Sequence, residues 1–365
     1  MKISEIQTDH FRVPLTTVLS DSTHGEMSHF ELVTVRVRSE TGQEGLGYTY
    51  TTGVGGAAIH AMITKDLTSL LLQADARGIE SIWDQMWWRL HWVGRGGVAA
   101  FAMAAVDIAL WDLKAKHTGE PLWRLLGGSN NRVEAYAGGV DLQLSLDELC
   151  EQTKEFIEGG FQAIKMKVGR ERLVEDVERV AKIRELIGPD IPLMVDANMI
   201  WSVDHAIRAA KALADYNIFW LEEPTIPDDI QGHAKIALEG GIPVAAGENL
   251  HTIYEFQAMI SRGGISFPEP DVATVGGVTP WLKIAHLAKV HNLPVTTHGV
   301  HDLQVHLLAA VSNASYLEVH GFGLERFTRY PFQLDDGDAI APDRLGHGVE
   351  LEWDALESCR QKHQL

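Results

Sequence analysis

The sequence predicts an α/β protein: a (β/α)8-type barrel of the TIM kind, preceded by a smaller α+β domain. Three observations carry this. The chain has 365 residues, enough for about two domains or one large barrel with added elements. The hydrophobic period changes near residue 125, from strands followed by helices to strict alternation of the two. Eight β-rich runs then follow at similar spacing, interleaved with helical segments. A doubly wound open sheet is the competing arrangement, but near-equal units without a phosphate-binding loop favour closure.

Residues 1–125 form the first unit. Residues 2–13 are β-rich and are expected to stop at Pro14. Residues 29–38 alternate through Leu32, Val33, Val35 and Val37, and a Glu40-Thr41-Gly42 turn leads into a strand over 44–51. A Gly-rich loop and helices over 57–72, 79–92 and 98–116 complete an α+β unit too small to be the whole protein. The barrel occupies 126–330, with strands expected at 132–140, 161–168, 192–198, 218–223, 243–248, 265–271, 295–298 and 316–319 and a helix interleaved with each. Residues 331–365 are irregular and are expected to pack back on the first unit.

Composition limits the function. The apolar fraction of 45% and charged fraction of 22% are those of a folded protein with a large core. Fifty acidic residues against 31 basic ones give a net charge of −19, which argues against nucleic acid or an anionic membrane as partner. Cys150 and Cys359 are far apart and form no C-x-x-C pair, so a reducing, cytoplasmic setting is expected. The N-terminus lacks the apolar core of a signal peptide. The most apolar stretch, 97–110, is interrupted by Asp107 and is too short to span a bilayer.

The informative pattern stands at the C-terminal strand ends, where such a barrel carries its active site. Seven ends offer titratable groups: Lys165-Met166-Lys167, Asp196-Ala197-Asn198, Glu222-Glu223-Pro224, Gly247-Glu248-Asn249, Pro270-Asp271, Thr297-His298-Gly299 and Leu317-Glu318-Val319. Successive groups lie about one βα unit apart, so they point into one ring. A single carboxylate at a strand end is usually a helix cap or a solvated loop residue. Asp196, Glu222 and Glu248 follow three successive apolar strands and would repel one another unless a cation sat between them. Three all-oxygen ligands fit Mg²⁺, with Mn²⁺ as a substitute; Zn²⁺ is disfavoured because no His or Cys joins the set.

Lys165 and Lys167 share one face of their strand while Met166 takes the other. A surface lysine pair is the ordinary reading, but the flanking Ala163, Ile164 and Val168 are apolar. The pair is therefore expected in the barrel mouth, with each charge lowering the other's pKa toward that of a base. His298, with Asp271 one strand earlier, suits a His–Asp dyad. Two bases and a metal between them describe proton abstraction beside a carboxylate, and Glu318, if protonated, could hydrogen-bond the same oxygens.

These motifs, in this order and spacing along the whole chain, resemble the enolase superfamily, mandelate racemase subgroup. That family is known to use a Lys or His base with Mg²⁺. The resemblance implies an N-terminal capping domain and a modified barrel. It also implies Lys167 as base, Lys165 near the substrate carboxylate, and Asp196, Glu222 and Glu248 as metal ligands. His298 with Asp271 would be the second base, Glu318 the electrophilic acid and Asn198 a substrate contact. Within the subgroup the chain is most similar to acid-sugar enzymes, particularly 3,6-anhydro-L-galactonate cycloisomerases. That similarity rests on Ser20-Asp21-x-x-His24-Gly25, Val93-Gly94-Arg95-Gly96-Gly97, Gly247-Glu248-Asn249-Leu250-His251-Thr252, Thr297-His298-Gly299 and Leu317-Glu318-Val319-His320. It implies a carboxylate substrate of the acid-sugar class, His24 as a substrate contact and a homo-oligomer. Cycloisomerisation, dehydration and racemisation or epimerisation all remain open at this site.

Two rival readings are weaker. Gly53-Val54-Gly55-Gly56-Ala57-Ala58 fits a dinucleotide-binding loop, but the helix after it leads to further helices and not to a parallel strand. A non-catalytic metal-binding barrel would make Lys167 dispensable. Trp83, Trp87, Trp88 and Trp92 have helical spacing, which suits packing better than a sugar platform. Loops over 19–27 and 51–56 are expected to close over the barrel mouth, the second made mobile by its glycines.

Overall fold

The computed structural model describes residues 1–320, 322 and 324–363. Strands β1 (Ile3–Asp21), β2 (Gly25–Ser39) and β3 (Glu44–Thr51) form an antiparallel sheet in that order. β1 continues through Pro14, beyond its expected stop. It is an edge strand, where a residue without an N–H is tolerated, and a register shift between Pro14 and Leu19 absorbs the irregularity. Residues 19–27 are therefore not an irregular loop. They form a hairpin tip in which Leu19 faces Met27 and Asp21 faces Gly25.

Helical segments Gly56–Ala61, Met62–Leu67 and Thr68–Leu71 run on from one another, and helices Ile79–Leu90 and Val98–Thr118 follow. Among the described residues no strand after the glycine loop joins the sheet of β3, so the dinucleotide reading loses its βαβ frame. Helix Val98–Thr118 is apolar nearly all round and lies tightly on the sheet. A Cβ on Gly47 would meet the Ala105 carbonyl oxygen at 2.1 Å, and one on Gly45 the Ala109 oxygen at 2.1 Å. The same helix docks on the barrel. Buried Asp107 accepts from Thr279 N (2.9 Å) and Oγ1 (2.7 Å), and Trp111 Nε1 donates to Thr279 Oγ1 at 2.9 Å.

The barrel strands β4 (Arg132–Gly138), β5 (Ile164–Lys167), β6 (Leu193–Asp196), β7 (Ile218–Glu222), β8 (Val244–Ala246) and β9 (Phe267–Pro268) are parallel neighbours in chain order. β10 (Leu317–Val319) returns to pair with β4. Helices Leu146–Glu158, Leu173–Ile187, Val203–Leu213, Ile230–Gly240, Ile253–Ser261, Val278–Val290 and His301–Ala310 separate them. Inside the barrel, Tyr136, Ala163, Met194, Trp220 and Ala245 pack into an apolar floor.

Two expectations are corrected. Residues 295–298 form no strand: Val295 makes an isolated bridge to Ala314, Thr296 N donates to Pro268 O (3.0 Å) and Thr296 Oγ1 to Tyr316 O (2.6 Å). The ladder is open between β9 and β10 because Pro268, Pro270 and Pro294 bring no donors to it. Among the described residues no barrel helix directly follows the eighth strand; a short turn, Leu324–Phe327, comes next after β10.

The C-terminal segment divides its contacts. β11 (Leu334–Asp335) and β12 (Asp338–Ile340) form a hairpin, and β12 pairs antiparallel with the start of β4, on the barrel. Later residues reach the first unit. The Trp353 ring lies 6.3 Å from that of Phe11 and beneath the Arg36 guanidinium, and Gln361 N donates to His10 O. Among the described residues no helix is long and apolar enough to cross a membrane.

The close helix–sheet approach gives a test. Gly47→Ala is expected to lower unfolding stability by about 1–3 kcal/mol, read as a lower urea midpoint. An unchanged midpoint would contradict the backbone contact.

Candidate active site

Strand period and register bring the charged groups together. Lys165 and Lys167 point into the barrel and are buried. Lys167 is in register with Asp196, and Asp196 with Glu222, so three charged residues stand side by side across β5, β6 and β7. Glu248 joins them from just beyond β8. Carboxylate oxygens of Asp196, Glu222 and Glu248 lie within 4.8 Å of one another. Lys165 Nζ stands 2.5 Å from Glu222 Oε1, 2.6 Å from Glu318 Oε1 and 3.7 Å from Asp196 Oδ2, and Lys167 Nζ bonds Asp196 Oδ2.

The other side of the ring is built around His298. Its Nδ1 lies 3.1 Å from Asp271 Oδ2, and its Nε2 lies 3.0 Å from Glu248 Oε2 and 3.9 Å from Glu318 Oε2. Asp271 is held by Ala273 N (2.8 Å) and by the Tyr50 hydroxyl (2.7 Å). Gly299 N donates to Glu318 Oε2 at 3.0 Å. Asn198 is buried; its N–H donates to Asp196 Oδ1, and its side-chain oxygen has no partner among the described residues. His24 sits on the β1–β2 hairpin tip, its Nδ1 2.9 Å from Asp21 Oδ2. That tip touches the end of β6 through Ser22 Oγ to Ala197 O (2.7 Å) and the Thr23 hydroxyl to Asn198 O. Residues 51–56 hydrogen-bond instead within the first unit, through His29 and Glu31.

The electrostatics correct two inferences. Lys165 does pull Lys167 down, but the pair is not brought to the range of a base. Burial works against their charge, but Glu222 and Glu318 beside Lys165, and Asp196 beside Lys167, hold both ammonium groups above the ordinary lysine range. Burial would likewise raise Glu318, yet Lys165 and then His298 hold it well below the usual carboxylate range, so it is ionised and not a protonated donor. Burial opposes charge on His298; Glu248, Glu318 and Asp271 overcome it and push the imidazole up to about 10. Burial, with Asp196 and Glu318 adding to it against the pull of Lys165, pushes Glu222 up to about 8.

Asp196, Glu222 and Glu248 suit Mg²⁺ on donor chemistry: three carboxylates from successive strands, with no thiolate or imidazole in the set, and too few ligands to enclose a hard ion without water or substrate. Several residues escaped the sequence reading. Asp141 follows the first barrel strand and accepts from Lys167 N (2.9 Å), supplying the eighth strand end with a charge; its place one residue past the expected strand could have marked it. Trp220 looked like plain strand core, but its Nε1 donates to Glu222 Oε2 at 2.9 Å. Glu223 is tied by Asn249 Nδ2 (2.8 Å). Tyr50 comes from the other domain, where no spacing rule reaches. Tyr50→Phe removes the hydroxyl that steadies Asp271 and keeps the ring. Turnover is expected to fall about tenfold in steady-state assays, with the fold intact by circular dichroism. An unchanged rate would mean that Ala273 N alone positions Asp271.

With this geometry in place, the chain can be compared with known proteins. Residues 7–127 match the mandelate racemase / muconate lactonizing enzyme N-terminal domain, and residues 148–355 match the enolase C-terminal domain-like family. The chain is 54% identical to the 3,6-anhydro-alpha-L-galactonate cycloisomerase of Streptomyces coelicolor, over 97% of this chain and 98% of that protein. A solved racemase from Streptomyces coelicolor A3(2) with bound magnesium superposes with a TM-score of 0.97 at 53% identity, covering 98% of this chain and all of that one. The L-talarate/galactarate dehydratase of Salmonella typhimurium LT2, solved with Mg and L-lyxarohydroxamate, superposes with a TM-score of 0.95 at 33% identity, covering 99% and 93%. Both halves of the sequence, the strand-end ring and the whole-chain superpositions agree: the protein is a member of the enolase superfamily, in its mandelate racemase / muconate lactonizing enzyme branch.

Proposed function

We propose that this enzyme removes the proton α to the carboxylate of an anhydro sugar acid and expels the ring oxygen from the β-carbon, a cycloisomerisation giving a 2-keto-3-deoxy acid. The observation that carries it is the flanking of one carboxylate cluster by two proton-handling groups, Lys167 bonded to Asp196 and His298 to Glu248. The 54% identity to an anhydro-galactonate cycloisomerase selects the ring-opening outcome.

Asp196, Glu222 and Glu248 would hold the Mg²⁺, which would supply Lewis-acid stabilisation of the charge that develops on the substrate carboxylate. Lys167 Nζ takes the α-proton. It can do so once Asp196 has another positive partner, because burial and the like charge of Lys165 then both favour the neutral amine. Lys165 pairs with the substrate carboxylate, with Asn198 and His24 as further contacts. The electron pair of the broken Cα–H bond forms the Cα–Cβ π bond, the Cβ–O bond breaks, and His298, oriented by Asp271, protonates the departing oxygen; the enol so formed loses its hydroxyl proton and gains one at Cβ to give the keto acid. Glu318 keeps Lys165 and His298 charged. The hairpin 19–27 covers the site, a role supported by the bonds from Ser22 and Thr23 to β6, whereas the loop 51–56 is tied to its own domain through His29 and Glu31.

The enzyme is proposed to be cytoplasmic and homo-oligomeric, acting on a small carboxylate and not on nucleic acid or membrane. The free thiols of Cys150 and Cys359 support a reducing compartment. A second reading, dehydration of an acyclic sugar acid, uses the same steps with a free hydroxyl leaving, and the Salmonella relative favours it.

Proton NMR in D₂O with Mg²⁺ and a panel of acid sugars separates these. A keto acid from an anhydro sugar acid is the expected product. A keto acid only from acyclic acids supports dehydration, solvent deuterium at Cα without a keto acid means racemisation or epimerisation, and no exchange with any acid overturns the reading. Lys167→Ala is expected to lose about 10³-fold or more in turnover while still binding Mg²⁺ by calorimetry. Retained turnover would return the barrel to a non-catalytic role.

A further inference from the structure

His320 lies directly after β10, two residues past Glu318, so the strand period puts both side chains on the face that lines the site. It is 8% exposed, and neither ring nitrogen has a hydrogen-bond partner among the described residues. The ring is held by aromatic packing. Phe322 meets it edge-on at 4.4 Å between centroids, and Phe322 packs in turn on Tyr50 and Phe30 of the capping domain. His320 Nε2 and His298 Nε2 stand 3.8 and 3.9 Å from the same oxygen, Glu318 Oε2. These distances are too long for hydrogen bonds, and one nitrogen of each ring lies within 4.8 Å of the other, a separation that a single oxygen set off the line between them can bridge.

A buried imidazole without partners is destabilising, and at the wall of a reaction site a bound water or ligand oxygen is the partner that offsets the cost. Burial is the dominant influence on His320 and holds it neutral, with a pKa lowered to about 3. A neutral imidazole offers one donor and one acceptor. A cation among His298, His320 and Glu318 is the other chemistry such donors suggest, but His298 faces a carboxylate with each nitrogen, so it presents N–H groups and no lone pair for a metal. An oxygen is the better occupant: an ether can accept from the ring N–H, and a hydroxyl can also donate to its partner nitrogen.

We infer that His320 binds the β-oxygen of the substrate, the oxygen that leaves, and holds it against His298. The inference rests on the reaction proposed above. In that step the Cα–H pair becomes the Cα–Cβ double bond, the Cβ–O pair passes to the oxygen, and the oxygen takes the His298 proton. His320 touches the leaving atom without gaining or losing a proton overall. Acids that lack a β-oxygen would still lose and regain the α-proton at Lys167, and would gain nothing from His320.

The test measures two rates on one substrate, deuterium entry at Cα and formation of the keto acid. His320→Leu is expected to slow keto-acid formation about 100-fold while α-exchange stays within about threefold. His320→Gln, whose amide keeps a donor and an acceptor, is expected to restore elimination to within about tenfold of wild type. The melting temperature of His320→Leu should equal or exceed that of wild type, because an unpartnered polar ring has been replaced by an apolar side chain. His320→Phe, which keeps the packing on Phe322, gives the same comparison if the Leu variant does not fold. Parallel loss of exchange and elimination, or no change in either, overturns the role of His320 alone. Wild-type enzyme with neither reaction overturns the underlying reading and this role with it.

Discussion

Three carboxylates on successive strands cannot face one another in an apolar barrel unless positive charge stands between them. Much of the site follows from that constraint. Asp196, Glu222 and Glu248 converge because parallel register aligns β6 with β7 and the end of β8 lies next to them. Lys165 and Lys167 answer two of them directly, and His298 answers the third. A divalent cation bound by these carboxylates would enter the same balance and free the side chains that now serve as counter-ions. A net charge of −19 therefore does not disqualify an anionic substrate. The mouth is set by its local cations, while most of the other acids face water.

The first domain completes the site as well as covering it. Tyr50, at the end of β3, reaches Asp271, and Phe322 fills the space between that tyrosine and His320. The hairpin tip reaches β6 through Ser22 and Thr23. Such contacts require the two domains to be fixed against each other, which the helix Val98–Thr118 achieves. It sits on glycines of β3 on one side, and through Asp107 and Trp111 it holds Thr279 of a barrel helix on the other.

The barrel was legible because its signal is local and repeated: an apolar strand, a charged end and a helix, several times over. The lysine pair, the three acids and the His–Asp pair could be found from strand ends alone. Longer-range effects were not legible. The protonation of Lys165, Lys167 and Glu318 depends on which charge lies nearest across strands, and counting like charges along one strand gave the wrong sign for the lysines. The seventh strand looked regular in composition, but prolines on β9 bring no donors to it, and on the β10 side the Thr296 and Thr297 hydroxyls take part in the contacts beyond a single bridge. β1 passed its proline because an edge strand tolerates one. Tyr50 and Asp141 act through contacts across domains or strands that no period in the sequence encodes, and Trp220, two residues before Glu222 on one strand, shares its face but hides its donor in an apolar run.

The most direct test of the central claim is calorimetric titration of Mg²⁺ into the stripped protein and into variants with Asp196, Glu222 or Glu248 changed singly to Ala. The account predicts one ion per chain in the wild type and loss of that binding in each variant. Undiminished binding in all three would contradict the metal centre and the mechanism built on it.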